Sequence, residues 1–190
     1  MPCCRRRPGS ASARSSDLPD PSLLEIGGNP LSARDLSAAA RDGRPVRLHS
    51  DAWTRIEQAH RVVARLAASG ARIYGVTTGL GAVADTRLDP DMADLQRRIV
   101  MARAVGVGDL ATGVQVRAMM LARLAGFAVG CAGASPELVA AYLAMLNAGI
   151  SPVVPLTGSL GEADLAPLSH IASVLLGAGS AHVGLSLIHI

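Results

Sequence analysis

The sequence predicts a mainly α protein with short strands and loops. Hydrophobic residues make up 49% of the chain but aromatic ones only 2%. The core must therefore be built of Ala, Leu, Val and Ile, which suits closely packed helices better than a sandwich of aromatic strands. Helix start and stop signals also recur along the chain, and the apolar residues between them fall three and four apart rather than alternating. With 190 residues, the chain can bury a core of one domain, or at most two.

The elements follow in order. Ser32, with Asp35 three residues on, resembles a capping box and opens a short helix that ends near Gly43. "RPVRLH" reads as a short strand. Ser50 is placed to cap a second helix carrying Trp53, Ile56, Ala59, Val63, Leu66 and Ala67 on one face, with Gly70 as its stop. In "ARIYGVTTGLGAVADTR", Thr77, Thr78 and three Gly among apolar residues predict a strand running into a loop. Helical spacing resumes at Asp91, with Met92, Leu95, Ile99 and Ala102 in register, until Gly106 and Gly108. Thr112 begins a small-residue-rich helix to about Gly130. Ser135-Pro136-Glu137 starts another, with Pro at the first helical position and an acid in the first turn, and Asn147 and Gly149 end it. "ISPVVPLTG" cannot be helical around Pro152 and Pro155 and is read as extended. Asp164 is expected to cap a last helix through Leu176, with Pro167 tolerated in its first turn.

Both ends stand apart from this pattern. Arg5, Arg6, Arg7 and Arg14 contribute four charges to the net +3, so the remainder sums to about −1 (3 − 4) and the body is nearly neutral. Residues 1–22 are read as a disordered or mis-called tail, since the basic start lacks the apolar region of a secretory signal. Residues 185–190, "LSLIHI", match a one-frame translation of a sequencing adapter and are expected to be a cloning scar. On that reading, 23–184 is the incomplete N-terminal part of a longer domain.

Composition excludes several classes. All 18 basic residues are Arg, which removes Schiff-base lysine chemistry and the phosphate-binding P-loop. No basic patch suggests nucleic acid, and no apolar run reaches the roughly 18 residues of a membrane span, since Arg117 and Arg123 interrupt the longest. Cysteines at 3, 4 and 131 give no metal spacing and no even disulfide set, so no metal is expected and the compartment is expected to be the cytoplasm. Cys131 is expected in the core. His170 is read as structural, and His49 and His60 lie outside any motif.

Two loops remain as candidates for chemistry: "YGVTTGLG" from Tyr74 to Gly81, and "GSLGEADLAPLSH" from Gly158 to His170. The glycine spacing of the first is not that of a dinucleotide fingerprint. Taken in order, with "LQRRIVMARAVGVG" between them, these stretches resemble the histidine and aromatic amino acid ammonia-lyase family, over about Leu23 to Gly179. That family carries text close to YGxNTGFG, then LQ before a helix ending in AGVG, then GSVGASGDLAPLxH.

The resemblance implies the N-terminal part of an ammonia-lyase-like helical fold. It also implies a homotetramer with active sites shared between subunits, and elimination of ammonia from an amino acid or related carboxylate substrate. In the family, an Ala-Ser-Gly triad closes into a methylidene-imidazolone electrophile, and the Tyr of the first loop removes the β proton. Tyr74 occupies that position, and the resemblance assigns Thr77, Gly81 and Arg103 to substrate binding. Thr77 replaces the family's usual Asn, and Arg103 stands where histidine lyases have His. A guanidinium there suits a carboxylate, either of the substrate or of Glu162.

The second loop departs from the family. Glu162-Ala163 replaces the triad, so the loop is one residue shorter and offers no Ser to dehydrate and no Gly to close the ring. The family's self-derived ring is therefore not expected to form, and no other cofactor is expected. Glu162 has two readings, a helix-capping acid or a general acid–base facing Tyr74 across a subunit interface. Asp164 is read as a structural cap. The expected function is that of a divergent carbon–nitrogen lyase using Tyr74 as base. A non-catalytic assembly or binding homologue is the alternative, and an error in reading the triad codons would also account for the loop.

Overall fold

The structure is a computed structural model and describes residues 22–87, 93–161 and 164–189. Six helices and seven short strands appear among them. They are β1 (Leu24–Ile26), α1 (Ala33–Asp42), β2 (Val46–Leu48), α2 (Ser50–Ala68), α3 (Ala93–Met101), β3 (Val107–Leu110), α4 (Gly113–Ala128), α5 (Pro136–Asn147), β4 (Ile150–Pro152), β5 (Pro155–Thr157), α6 (Leu165–Leu175), β6 (Ser180–Val183) and β7 (Ser186–His189). The mainly α architecture is as the sequence predicts.

Helix α4 is the centre of the frame. Its buried residues Val116, Met120, Leu121, Leu124, Phe127 and Ala128 recur with helical spacing, and the helix packs against α1, α2, α5 and β4. Thr112 and Gln115 close a capping box at its start. Helix α5 answers with Val139, Tyr142, Met145 and Leu146, and the Phe127 and Tyr142 rings meet edge to face at 5.7 Å. Burial pushes the Tyr142 phenol well above its usual range.

Polar side chains tie the helix ends together. The half-buried Arg117 guanidinium donates to the carbonyls of Leu146, at 3.0 Å, and of Arg44, so one cation serves the ends of both α1 and α5. Asn147 exchanges two hydrogen bonds with the backbone of Val46, at 2.8 and 2.9 Å, and completes β2, which pairs in parallel with β1. Two antiparallel sheets, β3-β5 and β4-β6-β7, lie further along the chain. Helix α6 packs on α3, α5 and β4.

Several sequence expectations need correction. Helix α2 is capped by His49, whose Nδ1 accepts from the Asp51 amide at 3.1 Å, and Ser50 is the first helical residue. The expected strand after Gly70 is a series of turns. Thr77 Oγ1 accepts the Ile73 amide and donates to the Ala71 carbonyl, both at 2.7 Å, and so occupies groups a strand ladder would need. Cys131 is exposed rather than in the core; it lies beyond the end of α4, after Gly130 at φ 81.

Asp164 holds the N-cap position of α6 but does not act as a cap. Its backbone is left-handed (φ 45, ψ 44) and its side chain makes no capping bond, whereas an N-cap residue is ordinarily extended. The carboxylate instead accepts from Ser159 Oγ at 2.7 Å. The tail at 1–21, and Asp91 and Met92 at the predicted start of α3, lie outside the described residues. Strand β7, within the suspected scar, pairs with β6 and is exposed along its length.

Candidate active site

Three segments far apart in sequence build one open cleft. The first is the turn around Tyr74, fixed by Thr77 and closed by Arg72, which donates to the Asp85 carbonyl at 2.9 Å and pairs with its carboxylate at 3.1 Å. Tyr74 is 64% exposed, and its hydroxyl oxygen accepts the Gly81 amide at 3.1 Å. Gly81 can offer that amide because it turns at φ 59 into a short 3-10 segment, Gly81–Val83.

The second segment follows α3. The half-buried Arg103 lies just past Met101, and its Nη1 donates to the Ile99 carbonyl at 3.1 Å. Among the described residues it pairs with no carboxylate, so most of its donor fork is uncommitted. The third segment is the start of the second loop. Ser159 Oγ accepts the Gly161 amide at 3.1 Å while donating to Asp164, and Leu160 projects outward at 97% exposure.

The cleft they enclose measures about 520 Å³, and Tyr74, Gly81, Arg103, Val105, Ser159 and Leu160 are among its lining residues. This brings together three of the residues singled out in the sequence: Tyr74, Gly81 and Arg103. Thr77 is not in the lining and shapes the turn instead. Glu162 lies outside the described residues, as does its suggested pairing with Arg103. Asp164 lines a neighbouring cleft of about 470 Å³ that shares Ser159 and adds Arg123. Ser159 is the site residue that the sequence alone did not single out. Its signal was a hydroxyl in the otherwise apolar stretch "GSLG".

Behind the cleft, His170 Nε2 accepts the Gly106 amide at 3.0 Å, which agrees with its structural reading, and burial lowers its pKa below the ordinary histidine value. No three His, Cys, Asp or Glu side chains among the described residues gather closely enough to hold a metal ion. No helix among them is long and apolar enough to cross a membrane.

A helical frame presenting its chemistry on a Tyr-bearing turn and a "GSLGEADLAPLSH" loop defines a class. Residues 31–188 match the family described as aromatic amino acid lyase, and the chain belongs to that family. It is 41% identical over 159 residues to the histidine ammonia-lyase of Sorangium cellulosum, which covers 81% of this chain and 31% of that protein. It is 42% identical over 158 residues to that of Streptomyces avermitilis, covering 82% and 31%.

Among solved structures, it resembles the ergothioneine-degrading ergothionase of Treponema denticola with TM-score 0.85 and 33% identity, over 88% of this chain and 34% of that one. It also resembles the phenylalanine aminomutase of Pantoea agglomerans with TM-score 0.82 and 30% identity, over 88% and 32%. The chain spans about a third of the length of these relatives.

Proposed function

We propose that the protein containing this chain is a carbon–nitrogen lyase acting on an amino-acid-derived carboxylate, with Tyr74 as base and no ring electrophile. The observation that carries this reading is the shared cleft of Tyr74, Gly81 and Arg103. With its oxygen accepting the Gly81 amide, the Tyr74 side chain is held in place, and in its phenolate form it keeps lone pairs for a substrate proton. Arg103 supplies a fork for a carboxylate. Elimination then starts from the Tyr74 phenolate: the β proton moves to its oxygen and restores the hydroxyl, the C–H electrons form the Cα–Cβ double bond, and the amine leaves with the electrons of the broken C–N bond.

The residues present do not fit the family's ring. Ring closure needs a glycine nitrogen to reach the carbonyl two residues back, and a serine between them to lose water. Glu162 and Ala163 supply neither. The nearby hydroxyl, Ser159, is committed to Asp164 at 2.7 Å and followed by Leu160 rather than Gly. No step is therefore routed through such a group, and the substrate must bring its own activation, as an acidic proton or a good leaving group.

The likeness to an ergothioneine-degrading enzyme bears on that requirement. Ergothioneine is a betaine, so its quaternary nitrogen departs as a neutral amine without needing a proton. A betaine of this kind is the substrate class we favour over free histidine, phenylalanine or tyrosine. The exposure of Tyr74 and Leu160 suits a site completed by further parts of a homotetramer.

The test is to assay the full-length protein and its Tyr74→Phe variant against ergothioneine, histidine, phenylalanine and tyrosine. Turnover of the betaine that the variant loses supports the reading. An oligomer that binds partners and turns over none of the four would mark an assembly subunit instead.

A further inference from the structure

The two walls of the cleft meet behind it at a point the proposed chemistry does not use. Gly106 lies three residues past Arg103, and Gly158 immediately precedes Ser159. A Cβ on Gly158 would stand 3.1 Å from Gly106 Cα, and one on Gly106 would stand 3.0 Å from His170 Nε2 and 3.2 Å from Pro155 Cβ. Backbone therefore lies against backbone at this junction, and the third member is the imidazole. Gly106 precedes strand β3, which begins at Val107, so its amide has no ladder partner. His170 Nε2 takes that amide at 3.0 Å, and His170 itself is not in the cleft lining.

We infer that His170 is a positioning residue: its neutral imidazole, accepting from Gly106, sets the spacing between the wall that carries Arg103 and the loop that carries Ser159. An Nε2 that accepts is unprotonated, so the ring is the Nδ1–H tautomer. A second proton would turn the acceptor into a donor facing a donor, and the junction would open. Burial already disfavours that proton.

The charged groups on the packed elements are few. Helix α6 carries no titratable side chain besides His170, with Asp164 just before it. Helix α5 carries Glu137 and Tyr142, α3 carries Asp94, Arg97 and Arg98, with Arg103 beyond its end, β3 carries Asp109, and β4 and β5 carry none. None of these, but burial, accounts for the lowered pKa. Since the native state holds the proton less tightly than the unfolded chain, the tie is complete at neutral pH. It is lost as pH falls below the ordinary histidine range.

The importance of this spacing for catalysis rests on the function proposed above, but the tie can be tested without activity. Hydrogen exchange of the segment containing Gly106 is followed by mass spectrometry in the full-length protein, at about pH 7.5 and at about pH 4.5, well below the ordinary histidine range, corrected for intrinsic exchange. Wild type is expected to lose protection at the lower pH. His170→Gln, which keeps an acceptor and cannot titrate, should stay protected at both.

His170→Leu should exchange roughly tenfold faster at both values, as expected for one lost hydrogen bond. Unchanged protection in a folded His170→Leu protein overturns the inference. If that variant does not fold, a His170→Gln protein that still loses protection on acidification overturns it equally. Should the tie be found while every substrate fails, the proposed function falls and the tie stands.

Discussion

The helical frame and the turn that bears Tyr74 are held together by different physics. In the frame, α4 and α5 bury whole rows of apolar side chains against α1, α2 and the β1-β2 pair. Between Glu57 and Gln115, by contrast, no hydrophobic side chain among the described residues is fully buried. The turn is held by local polar bonds: Thr77 to Ile73 and Ala71, Arg72 to Asp85, and Tyr74 to Gly81. Burial sums over many contacts and tolerates little change in shape. A few hydrogen bonds fix one geometry and leave the side chain open to solvent and ligand. The difference means that chemistry and stability can be removed separately.

Substitutions that strike one region and spare the other sharpen the contrast. Tyr74→Phe should lower turnover by about 10²- to 10⁴-fold, the range for loss of a positioned base, and leave the unfolding midpoint unchanged. Steady-state kinetics beside a denaturant titration checks both halves. Leu124→Ala removes a fully buried side chain from α4 and should destabilise the fold by about 2–5 kcal/mol. Below its midpoint, the folded variant should retain activity per folded molecule.

Thr77→Val keeps the shape of the turn but deprives the Ile73 amide and the Ala71 carbonyl of their shared partner. It should cost about 1 kcal/mol, felt as faster amide exchange in the turn and a changed KM before any change in global stability. The smallest effect belongs to the frame's edge. Asp35 has its pKa lowered first by the Ser32 side chain and then by the Ser32 amide. Its contribution is present above the ordinary carboxylate pKa and lost as pH falls through the lowered value. Asp35→Asn should flatten the acid limb of a pH–stability curve by a small but measurable amount.

The frame was the more legible region in the sequence. Ser32 and Asp35 sit three residues apart, so their cap forms within one turn of chain, and Thr112 and Ser135-Pro136 announced the starts of α4 and α5. The β1-β2 pair was half visible, because Leu24–Ile26 is too short to show a period. What escaped reading depends on distant partners. The tie from Gly106 to His170 spans 64 positions, and Arg117 reaches the carbonyls of Leu146 and Arg44, 29 and 73 positions away.

The turn misled for a physical reason. Its β-branched threonines suggest a strand, yet a threonine hydroxyl also competes for the backbone groups a strand would use. The gathering of Tyr74 and Arg103 was suggested only by resemblance to a family, since no local rule places a turn beside the end of α3.

The central claim is lyase chemistry without a self-made electrophile, and the loop itself can be weighed. Mass spectrometry of the peptide spanning Gly158 to His170, released from the active full-length protein, should give the mass of the unmodified sequence. A peptide lighter by the water that ring closure and dehydration expel, from an enzyme that turns over its substrate, would contradict the account.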